Sequence, residues 1–487
     1  MSQRVVIVGG GLAGLAAAAG LASAGVEATL LESRPRLGGR AGSFLDAETG
    51  EWIDTCQHVS MGCCTNLAHF ARLVGIDDLF ATQQELLFIG PGGERCRFRD
   101  RSRPAPFHLT KAFDSLTWFS KPERRRLMRD VARLAHRRWA VDNGLSFEQW
   151  LEHHAQTADL RERFWDVILV SALSETAGRI SVPHARKVFV DGFLAHRDGW
   201  RVQIPTVPLE ELYGRRLIDW LRARGVDVTT GAGVAGLEEQ GGLITNVRLR
   251  SGEQITADEV ILAVPWHRVL DLLPDSLAVD PALAGINELE SAPITSVHLW
   301  FDRPVLDVPH AVLVGRLSQW VFRRAALQSQ STHPNATPLN HQPSTINPQP
   351  LSRTAQPDYV QVVISASHNI AKQSQTAIID QVVEELAAIW PQVREAQLTS
   401  SRVVTEHRAV FSPRPGVDAL RPPQATPISN LQLAGDWTRT DWPATMESAV
   451  KSGFLAAENT LARLGATRSL VQPPLKPGGL ARLLLRV

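Results

Sequence analysis

Three glycines near the N terminus have the spacing that binding of a dinucleotide phosphate requires. Gly9, Gly11 and Gly14 form a G-x-G-x-x-G motif directly after the β-branched run of residues 5–8. In such a motif the first glycine permits a tight turn, the second lets the backbone approach a pyrophosphate, and the third lets helix and strand pack closely. Glu32 ends a second predicted strand 18 residues after Gly14, near the position of a ribose-binding acid. The sequence therefore predicts a strand–turn–helix unit whose helix N terminus holds a dinucleotide.

The same segment has one alternative interpretation, a secretory signal peptide. Arg4, the apolar stretch after it and the small residues Ala22-Ser23-Ala24 fit the parts of such a signal. A signal peptide has no need of glycines at this spacing, and it leaves Glu32 without a role. We therefore favour the dinucleotide site and expect the N terminus to fold as part of a domain.

A further charged glycine segment follows the acid. Arg36-Leu37-Gly38-Gly39-Arg40 suits a loop that folds back over a diphosphate, with the Arg40 guanidinium as a clamp. Folds that bind NAD rarely continue in this way. The segment is a complete match to R-x-G-G-R and resembles the N-terminal motif of the amine oxidase and carotenoid-desaturase superfamily of FAD enzymes.

This resemblance implies an FAD site built from both ends of the chain. Residues 431–433 have the pattern of a strand, Gly435-Asp436 follow in a turn, and a helix begins at Met446. In the resembled enzymes the acid binds the ribitol chain, and the dipole of the helix stabilises negative charge on the reduced flavin. The resemblance also places Val234 in backbone contact with the adenine. The expected FAD-binding residues are Gly9, Gly11, Gly14, Glu32, Gly38, Gly39, Arg40, Val234, Gly435, Asp436 and Met446.

The elements that must position these motifs predict an α/β fold. The resemblance implies a Rossmann-like FAD-binding domain interleaved with a mixed α+β substrate domain, as in amine oxidases and desaturases. We expect the FAD-binding domain to comprise residues 1–94, 205–290 and 425–465. The substrate domain is then formed by residues 95–204, which have a helical pattern, and residues 291–424.

Three further segments differ from their surroundings in composition. Residues 328–357 are rich in Ser, Thr, Asn, Gln and Pro, which predicts a disordered surface insertion. Residues 95–138 are basic, with Trp118 and Trp139 among the arginines. They form either a solvated helix face or an amphipathic helix on an anionic membrane surface. Residues 466–487 are a basic, apolar tail, either a loose end or a second surface contact.

The composition excludes several functional classes. The chain has 487 residues, 44% of them hydrophobic and 21% charged, as in ordinary globular proteins of more than one domain. A net charge of +1 gives no sign of a nucleic-acid partner. Cys56, Cys63, Cys64 and Cys96 favour a reducing compartment, and their spacing predicts no metal site. No run after the first helix is apolar and long enough to span a bilayer. We expect a cytoplasmic protein, with peripheral contact to the inner membrane surface as an option.

The segment of residues 54–67, which follows a predicted hairpin, indicates which family within the superfamily the sequence resembles. Its residues are Asp54-Thr55-Cys56-Gln57-His58 and Met61-Gly62-Cys63-Cys64-Thr65-Asn66-Leu67. They resemble the hydroxysqualene dehydroxylases, squalene-associated FAD enzymes of bacterial hopanoid biosynthesis, although Cys56 replaces a glycine that is usual there. The chemistry that this family implies is reductive. A hydride from reduced FAD goes to an allylic carbon of hydroxysqualene, an isoprenoid lipid, the hydroxyl group leaves as water, and an external electron donor restores the FAD.

The departing hydroxyl group needs a proton and a shielded apolar channel. His58 is the first candidate donor, because the pKa of an imidazole lies near neutrality. Packing in the substrate site, a hydrogen bond to the flavin and a structural role are its alternatives. Asp54 could orient or charge His58, or serve as a turn or cap residue. Glu175, in a turn of the helical part, is the weaker candidate.

Two other functions are compatible with the same motifs. One is an oxidative desaturase or oxidase of the same fold, acting on a carotenoid, another isoprenoid or an amine. The other belongs to a different class, a non-catalytic lipid carrier of the same architecture, like the Rab GDP-dissociation inhibitors. Complete FAD motifs argue against a carrier, since carriage of a lipid needs no flavin.

Overall fold

The G-x-G-x-x-G motif follows the middle strand of a parallel sheet in the computed structural model, which describes residues 3–101, 103–330 and 358–485. From edge to edge the five strands are Val226–Thr230, Ala28–Glu32, Val5–Val8, Glu259–Leu262 and Leu431–Leu433. Every neighbouring pair is parallel. Val5–Val8 is buried at every position, because both faces of the sheet are covered by other layers.

Two helices from opposite ends of the chain cover one face of this sheet. Helix Leu12–Ser23 follows the first strand, and helix Met446–Arg463 packs against it. A Cβ atom at Gly453 would lie 2.1 Å from the carbonyl oxygen of Ala13, so only glycine permits this close approach. Helix Leu12–Ser23 is buried nearly all round, which explains its alanine and leucine composition.

An antiparallel sheet covers the opposite face. Its strands are Val234–Gln240, Leu243–Leu249 and Gln254–Thr256. Val247 of this sheet shares a core with Val6 and Val260 of the parallel sheet. The resulting three layers confirm the Rossmann-like domain that the glycine motif predicts.

A mixed sheet of seven strands forms the second domain. Its strands, in order, are Leu398–Phe411, Ser291–Phe301, Asp358–Ser365, Trp320–Arg323, His310–Leu313, Leu86–Ile89 and Arg95–Phe98. Helix Gln375–Ile389 covers one face. Strand Leu86–Ile89 pairs with Arg95–Phe98 across a tight turn, which keeps both strands in this sheet. The substrate domain therefore begins before residue 95, the boundary expected from the sequence.

Along the chain, the helical part lies between strand Arg95–Phe98 of the large sheet and strand Val226–Thr230 of the parallel sheet. Its α-helices are Thr110–Asp114, Lys121–Leu134, Phe147–His153, Ala158–Leu160, Asp166–Leu173 and Val182–Phe189. The π-helical turn Arg161–Trp165 connects Ala158–Leu160 to Asp166–Leu173, and a second one, Val190–Leu194, continues Val182–Phe189. Trp150, Trp165 and Phe189 fill its core, and the rings of Trp165 and Phe189 meet edge to face with centroids 5.1 Å apart.

Short elements connect the helical part to the parallel sheet. They are the hairpin of Ser43–Leu45 and Trp52–Asp54, the small sheet of Ser60–Met61, Val202–Pro205 and Phe80–Thr82, and the helices Thr65–Val74 and Arg216–Arg222. The two strands of the hairpin are antiparallel. The hairpin presents Phe44 and Ile53 to Trp300 and Tyr359 on the open face of the large sheet.

The structure describes the C-terminal tail, but it leaves out most of the polar insertion. The C-terminal tail is docked, because helix Gly479–Leu485 buries Ala481 and Leu485 in the core of the helical part. Its loose-end alternative is therefore wrong for the described residues. Of the insertion expected at 328–357, residues 331–357 lie outside the described residues.

Candidate functional site

The two N-terminal glycine loops pack against each other at the carboxyl edge of the parallel sheet. Gly9 has a φ of +110°, and a Cβ there would lie 2.4 Å from the carbonyl oxygen of Ala263. A Cβ at Gly14 would lie 1.9 Å from the carbonyl oxygen of Gly9. The N–H of Gly38 donates to the carbonyl of Gly10 over 2.9 Å. Both loops therefore need glycine for steric reasons.

One side of this double loop is open. A Cβ at Gly11 would meet Gly39 Cα at 4.0 Å and nothing nearer, so there is room for a ligand against the backbone. Among the described residues, no side chain caps helix Leu12–Ser23, and its first N–H groups stay available. An uncapped helix N terminus next to an open glycine loop suits a pyrophosphate.

Glu32 lies at the end of its strand, beside the glycine loop. Its Oε2 accepts from the N–H of Gly10 over 2.7 Å, and its Oε1 accepts from the N–H of Arg34 over 2.8 Å. The backbone carbonyl of Glu32 accepts from Ala232, two residues before Val234. The structure thus brings Val234 and Glu32 to the same edge of the sheet, where the sequence expects the adenosine half of the cofactor.

The C-terminal motif meets the N-terminal one through an ion pair. Asp436 is buried, and its Oδ1 accepts a hydrogen bond from the Arg40 guanidinium. Arg40 also donates to the carbonyl of Ala409 over 2.6 Å. Gly435 donates its N–H to Ser452 Oγ over 2.8 Å, which places the turn over helix Met446–Arg463. Residues 396 positions apart therefore share one site.

Arg421 is a site residue that the sequence analysis missed. Its guanidinium is fully buried and donates to the backbone carbonyls of Asp436 at 3.1 Å and Thr438 at 2.6 Å, and also to Thr440 Oγ1 at 3.2 Å. A further donor reaches Asp418 over 2.7 Å. Burial lowers the pKa of Arg421. One side chain thus holds the whole turn after Gly435, and no local motif marks it in the sequence.

Glu447 is a second residue missed, although it follows Met446 directly. Its buried carboxylate accepts from the N–H groups of Asn66 at 3.0 Å and Leu67 at 2.8 Å, and from the Asn66 side chain at 2.7 Å. Burial raises the pKa of Glu447. The carboxylate caps helix Thr65–Val74, which ties the 54–67 segment to the C-terminal motif. The available signal in the sequence was the place of this acid in the first turn of helix Met446–Arg463.

Asp54 and His58 lie in one loop but do not form a hydrogen-bonded pair. Asp54 Oδ1 accepts from Ser43 Oγ over 2.6 Å and from the N–H of Leu209 over 2.9 Å. Burial raises the pKa of Asp54. This carboxyl group therefore joins the hairpin to the segment after Pro205.

The His58 ring is fixed by its own loop. Nδ1 lies 2.8 Å from the carbonyl oxygen of Cys56. A carbonyl only accepts, so Nδ1 carries the hydrogen and Nε2 carries the lone pair. Burial lowers the pKa of His58, which keeps the imidazole neutral at neutral pH. In this state His58 offers the site a hydrogen-bond acceptor.

Glu175 stands in a different network. It is fully buried and binds Arg179 Nε at 3.0 Å and His368 Nε2 at 3.0 Å. Arg179 continues to Glu290 over 2.6 Å. These contacts join the helical part to the large sheet, and the hydrogen bonds of Glu175 do not include the loop of His58.

The residues at the carboxyl edge fit FAD. The open glycine cradle and the uncapped helix suit the pyrophosphate, Glu32 suits a ribose, and the Asp436 carboxylate beside helix Met446–Arg463 suits the ribitol chain. Comparison with protein families agrees, since residues 12–461 match the model of flavin-containing amine oxidoreductases. The chain belongs to this family. It is an FAD-dependent oxidoreductase with the fold that the sequence predicts.

Similar proteins cover nearly the whole chain. A probable zeta-carotene desaturase from Synechococcus elongatus is 27% identical over 493 residues, which are 94% of this chain and 98% of that protein. A 15-cis-phytoene desaturase from the same organism is 27% identical over 489 residues, 95% of this chain and 96% of that one. The solved cyclohexylamine oxidase of Brevibacterium oxydans has a TM-score of 0.66 at 16% identity, covering 96% of this chain and 100% of its own. The last likeness concerns the fold alone.

Proposed function

We propose that this flavoprotein removes the hydroxyl group of hydroxysqualene reductively and releases squalene. The observation that carries the proposal is the place of the 54–67 segment, whose residues resemble hydroxysqualene dehydroxylases. Glu447 anchors Asn66 and Leu67 of this segment to the first turn of helix Met446–Arg463. Thr55 Oγ1 donates to the carbonyl of Arg40 over 2.9 Å. The segment is therefore bound to both FAD motifs.

Bound FAD, once reduced, supplies the hydride for this reaction. The chain must supply an apolar channel and a proton. The helical part provides an aromatic core next to the 54–67 segment, since Met61 packs against that core. An isoprenoid chain fits such surroundings because its transfer from water is favourable per unit of apolar area.

A second candidate function is the desaturation of a carotenoid. It is supported by the relatives named above, which are desaturases by description and are similar along 94% and 95% of this chain. Desaturation takes a hydride from the substrate, whereas dehydroxylation gives one. The two proposals therefore differ in which redox state of FAD reacts.

The deciding experiment uses the purified yellow protein. With the flavin reduced under anaerobic conditions, we expect hydroxysqualene to yield squalene and the flavin to be reoxidised in equal amount. In parallel, the oxidised protein receives phytoene or zeta-carotene, and the absorbance of longer conjugated products is followed. Desaturated products without squalene would replace the first proposal by the second, and a protein that keeps no FAD would contradict both.

We also propose that the protein works at the cytoplasmic surface of an anionic membrane, through its C-terminal helix. Leu483 and Leu484 are 73% and 50% exposed, while Ala481 and Leu485 of the same helix are buried. Arg482 stands among these leucines. An exposed leucine face with a cation suits an anionic lipid surface. Within the described residues no helix could cross a bilayer.

For the basic helix Lys121–Leu134 we favour the interpretation as a solvated helix face over a membrane-binding helix. Three of its arginines, Arg126, Arg129 and Arg133, surround the buried carboxylate of Asp130 at 4.0, 3.5 and 2.8 Å. Arginines that are bound to a carboxylate of their own helix are less available to lipid headgroups.

Vesicle sedimentation tests the membrane proposal. Vesicles of phosphatidylcholine with phosphatidylglycerol should retain the wild type, and replacement of both Leu483 and Leu484 by Glu should weaken binding about tenfold or more. Val279→Glu is the matched control, because Val279 is also exposed, at 81%, but lies in the FAD-binding domain. Equal binding of the double variant and the wild type would contradict the proposal.

A further inference from the structure

A lysine and an aspartate of the helical part form a half-buried pair. Lys187 Nζ lies 2.6 Å from Asp191 Oδ2, one helical turn later. The side chains are 25% and 34% exposed, so each is half-buried and still in contact with solvent. Lys187 belongs to helix Val182–Phe189, and Asp191 belongs to the π-helical turn Val190–Leu194 that continues it. Such π-helical turns occur frequently at functional sites.

Lys187 contacts the segment after Gly435, and Gly192, the residue after Asp191, lies near the 54–67 segment. The Nζ atom of Lys187 lies 4.2 Å from the ring centroid of Trp442, in a cation–π contact. Trp442 stands between Asp436 and the start of helix Met446–Arg463. On the other side, a Cβ at Gly192 would lie 3.3 Å from Met61 Cε, and Met61 belongs to the 54–67 segment.

The ammonium group has a donor to spare. A lysine ammonium has three N–H donors and no acceptor. Within the described ranges, the Lys187 ammonium has two partners, the Asp191 carboxylate and the Trp442 ring. His58, by contrast, has its hydrogen on Nδ1, where it is bound to the Cys56 carbonyl. Of these two side chains, Lys187 is the one with a free donor.

We propose that Lys187, held by Asp191, delivers the proton to the oxygen that leaves the substrate. This inference rests on the proposed reductive function. The C–O bond of the allylic alcohol breaks, its electron pair goes to oxygen, and the proton of Nζ converts that oxygen to water. The hydride supplied by reduced FAD forms a C–H bond at the carbon that has lost oxygen, and FAD is oxidised. Lys187 regains its proton from solvent on the exposed side of the pair.

The test compares Lys187→Ala with a matched control in the same domain. Arg163 and Asp159 also form a pair one turn apart, at 2.8 Å, with side chains 36% and 43% exposed. The wild type, Lys187→Ala and Arg163→Ala are loaded with FAD and assayed for squalene formed from hydroxysqualene. The flavin content and the melting temperature of each variant are measured beside the rate.

We expect Lys187→Ala to lose about 10²-fold or more of the turnover rate, to keep its FAD, and to recover activity with added methylamine. Arg163→Ala should keep the wild-type rate. Amine rescue separates proton delivery from a structural role, since a small amine replaces the proton donor but restores no packing. A Lys187→Ala rate within threefold of wild type, or a loss that methylamine does not restore, would overturn the proposal. If the wild type itself forms no squalene, the proposed function fails first, and the two failures are distinct.

Discussion

The parallel sheet and the helical part contribute different kinds of atoms around the candidate site. On the sheet side the work is done by backbone, as at Gly9 and Gly14, where an added Cβ would lie 2.4 and 1.9 Å from carbonyl oxygens. On the helical side the residues of the proposal are charged side chains, Lys187 and Asp191. The glycine positions are constrained by steric fit between backbone segments. A charged side chain in the site is instead constrained by the chemical step that it assists.

Substitutions in the two regions should therefore change different measurable properties of the protein. Changes on the sheet side should remove the cofactor or the fold together with activity. Changes on the helical side should lower the rate while the protein stays yellow and folded. The Arg40–Asp436 pair belongs to the first group, although it uses side chains, because it joins two loops.

The largest expected effect is that of Gly14→Val. The new Cβ would lie 1.9 Å from the carbonyl oxygen of Gly9, and a backbone atom inside the motif cannot move aside. We expect the free energy of unfolding to fall by more than about 4 kcal/mol, with no bound FAD. Gly50→Asn is the control, because Gly50 has a φ of +69° but nothing within 4 Å of its Cβ position. It should cost about 1 kcal/mol or less, as measured by denaturant unfolding and flavin absorbance.

The next effect is that of Arg40→Met. It leaves the carboxylate of Asp436, which is 4% exposed, without its cation. Removal of one partner of a buried pair costs about 3 kcal/mol, and FAD should dissociate more readily. The double variant with Asp436→Asn should recover part of the loss in the free energy of unfolding. If the double variant loses as much free energy of unfolding as the two single variants together, the pair does not couple the loops.

A smaller effect is expected for His58→Gln. Burial lowers the pKa of His58, so the ring loses its second proton at a lower pH than an ordinary imidazole does. The dependence of kcat/KM on pH should therefore show no inflection at the ordinary imidazole value of about 6.5. We expect His58→Gln to lower turnover about tenfold or less. An inflection near that value in the wild type, absent from the variant, would restore His58 as the proton donor.

The smallest effect concerns Asp166, in the helical part. Burial raises its pKa to about 6 from a usual value of 3.8. The folded state then binds this proton more tightly than the unfolded state, so the free energy of unfolding falls as pH rises from about 4 to about 6. Asp166→Asn should remove this slope and leave FAD binding and turnover unchanged. Denaturant unfolding at a series of pH values measures it, and an unchanged slope would contradict the assignment.

The sequence predicted the FAD-binding domain well because its signals are local. The strand, the glycines and Glu32 lie within residues 5–32, and each acts through backbone geometry that neighbours in sequence define. Asp436 and Met446 were expected from the resemblance to FAD enzymes, which rests on the pattern of a strand, a Gly-Asp turn and a helix. The expected domain boundary at residue 94 was placed too late, because the pairing of Leu86–Ile89 with His310–Leu313 joins strands far apart in the chain.

The roles of the side chains around these motifs could not be predicted from local sequence signals. Arg421 was one of many arginines until its guanidinium was seen on the carbonyls of the turn after Gly435. Glu175 and His58 were both candidates by residue type, but the structure gives them separate partners. The partner of a charged side chain depends on which segments meet in space, and composition carries no record of that.

The amino-acid sequence alone determined that the N-terminal segment is built to hold a dinucleotide, since three glycines and an acid at set spacing leave the backbone few alternatives. The resemblance of residues 36–40 and 435–446 to FAD enzymes then identified the dinucleotide as FAD. The tertiary structure decided which charged side chains meet around the two FAD motifs. Lys187 comes next to Trp442, and Arg40 next to Asp436, only when distant segments pack together. Steric demands of a short loop are local, whereas electrostatic partners are chosen by packing.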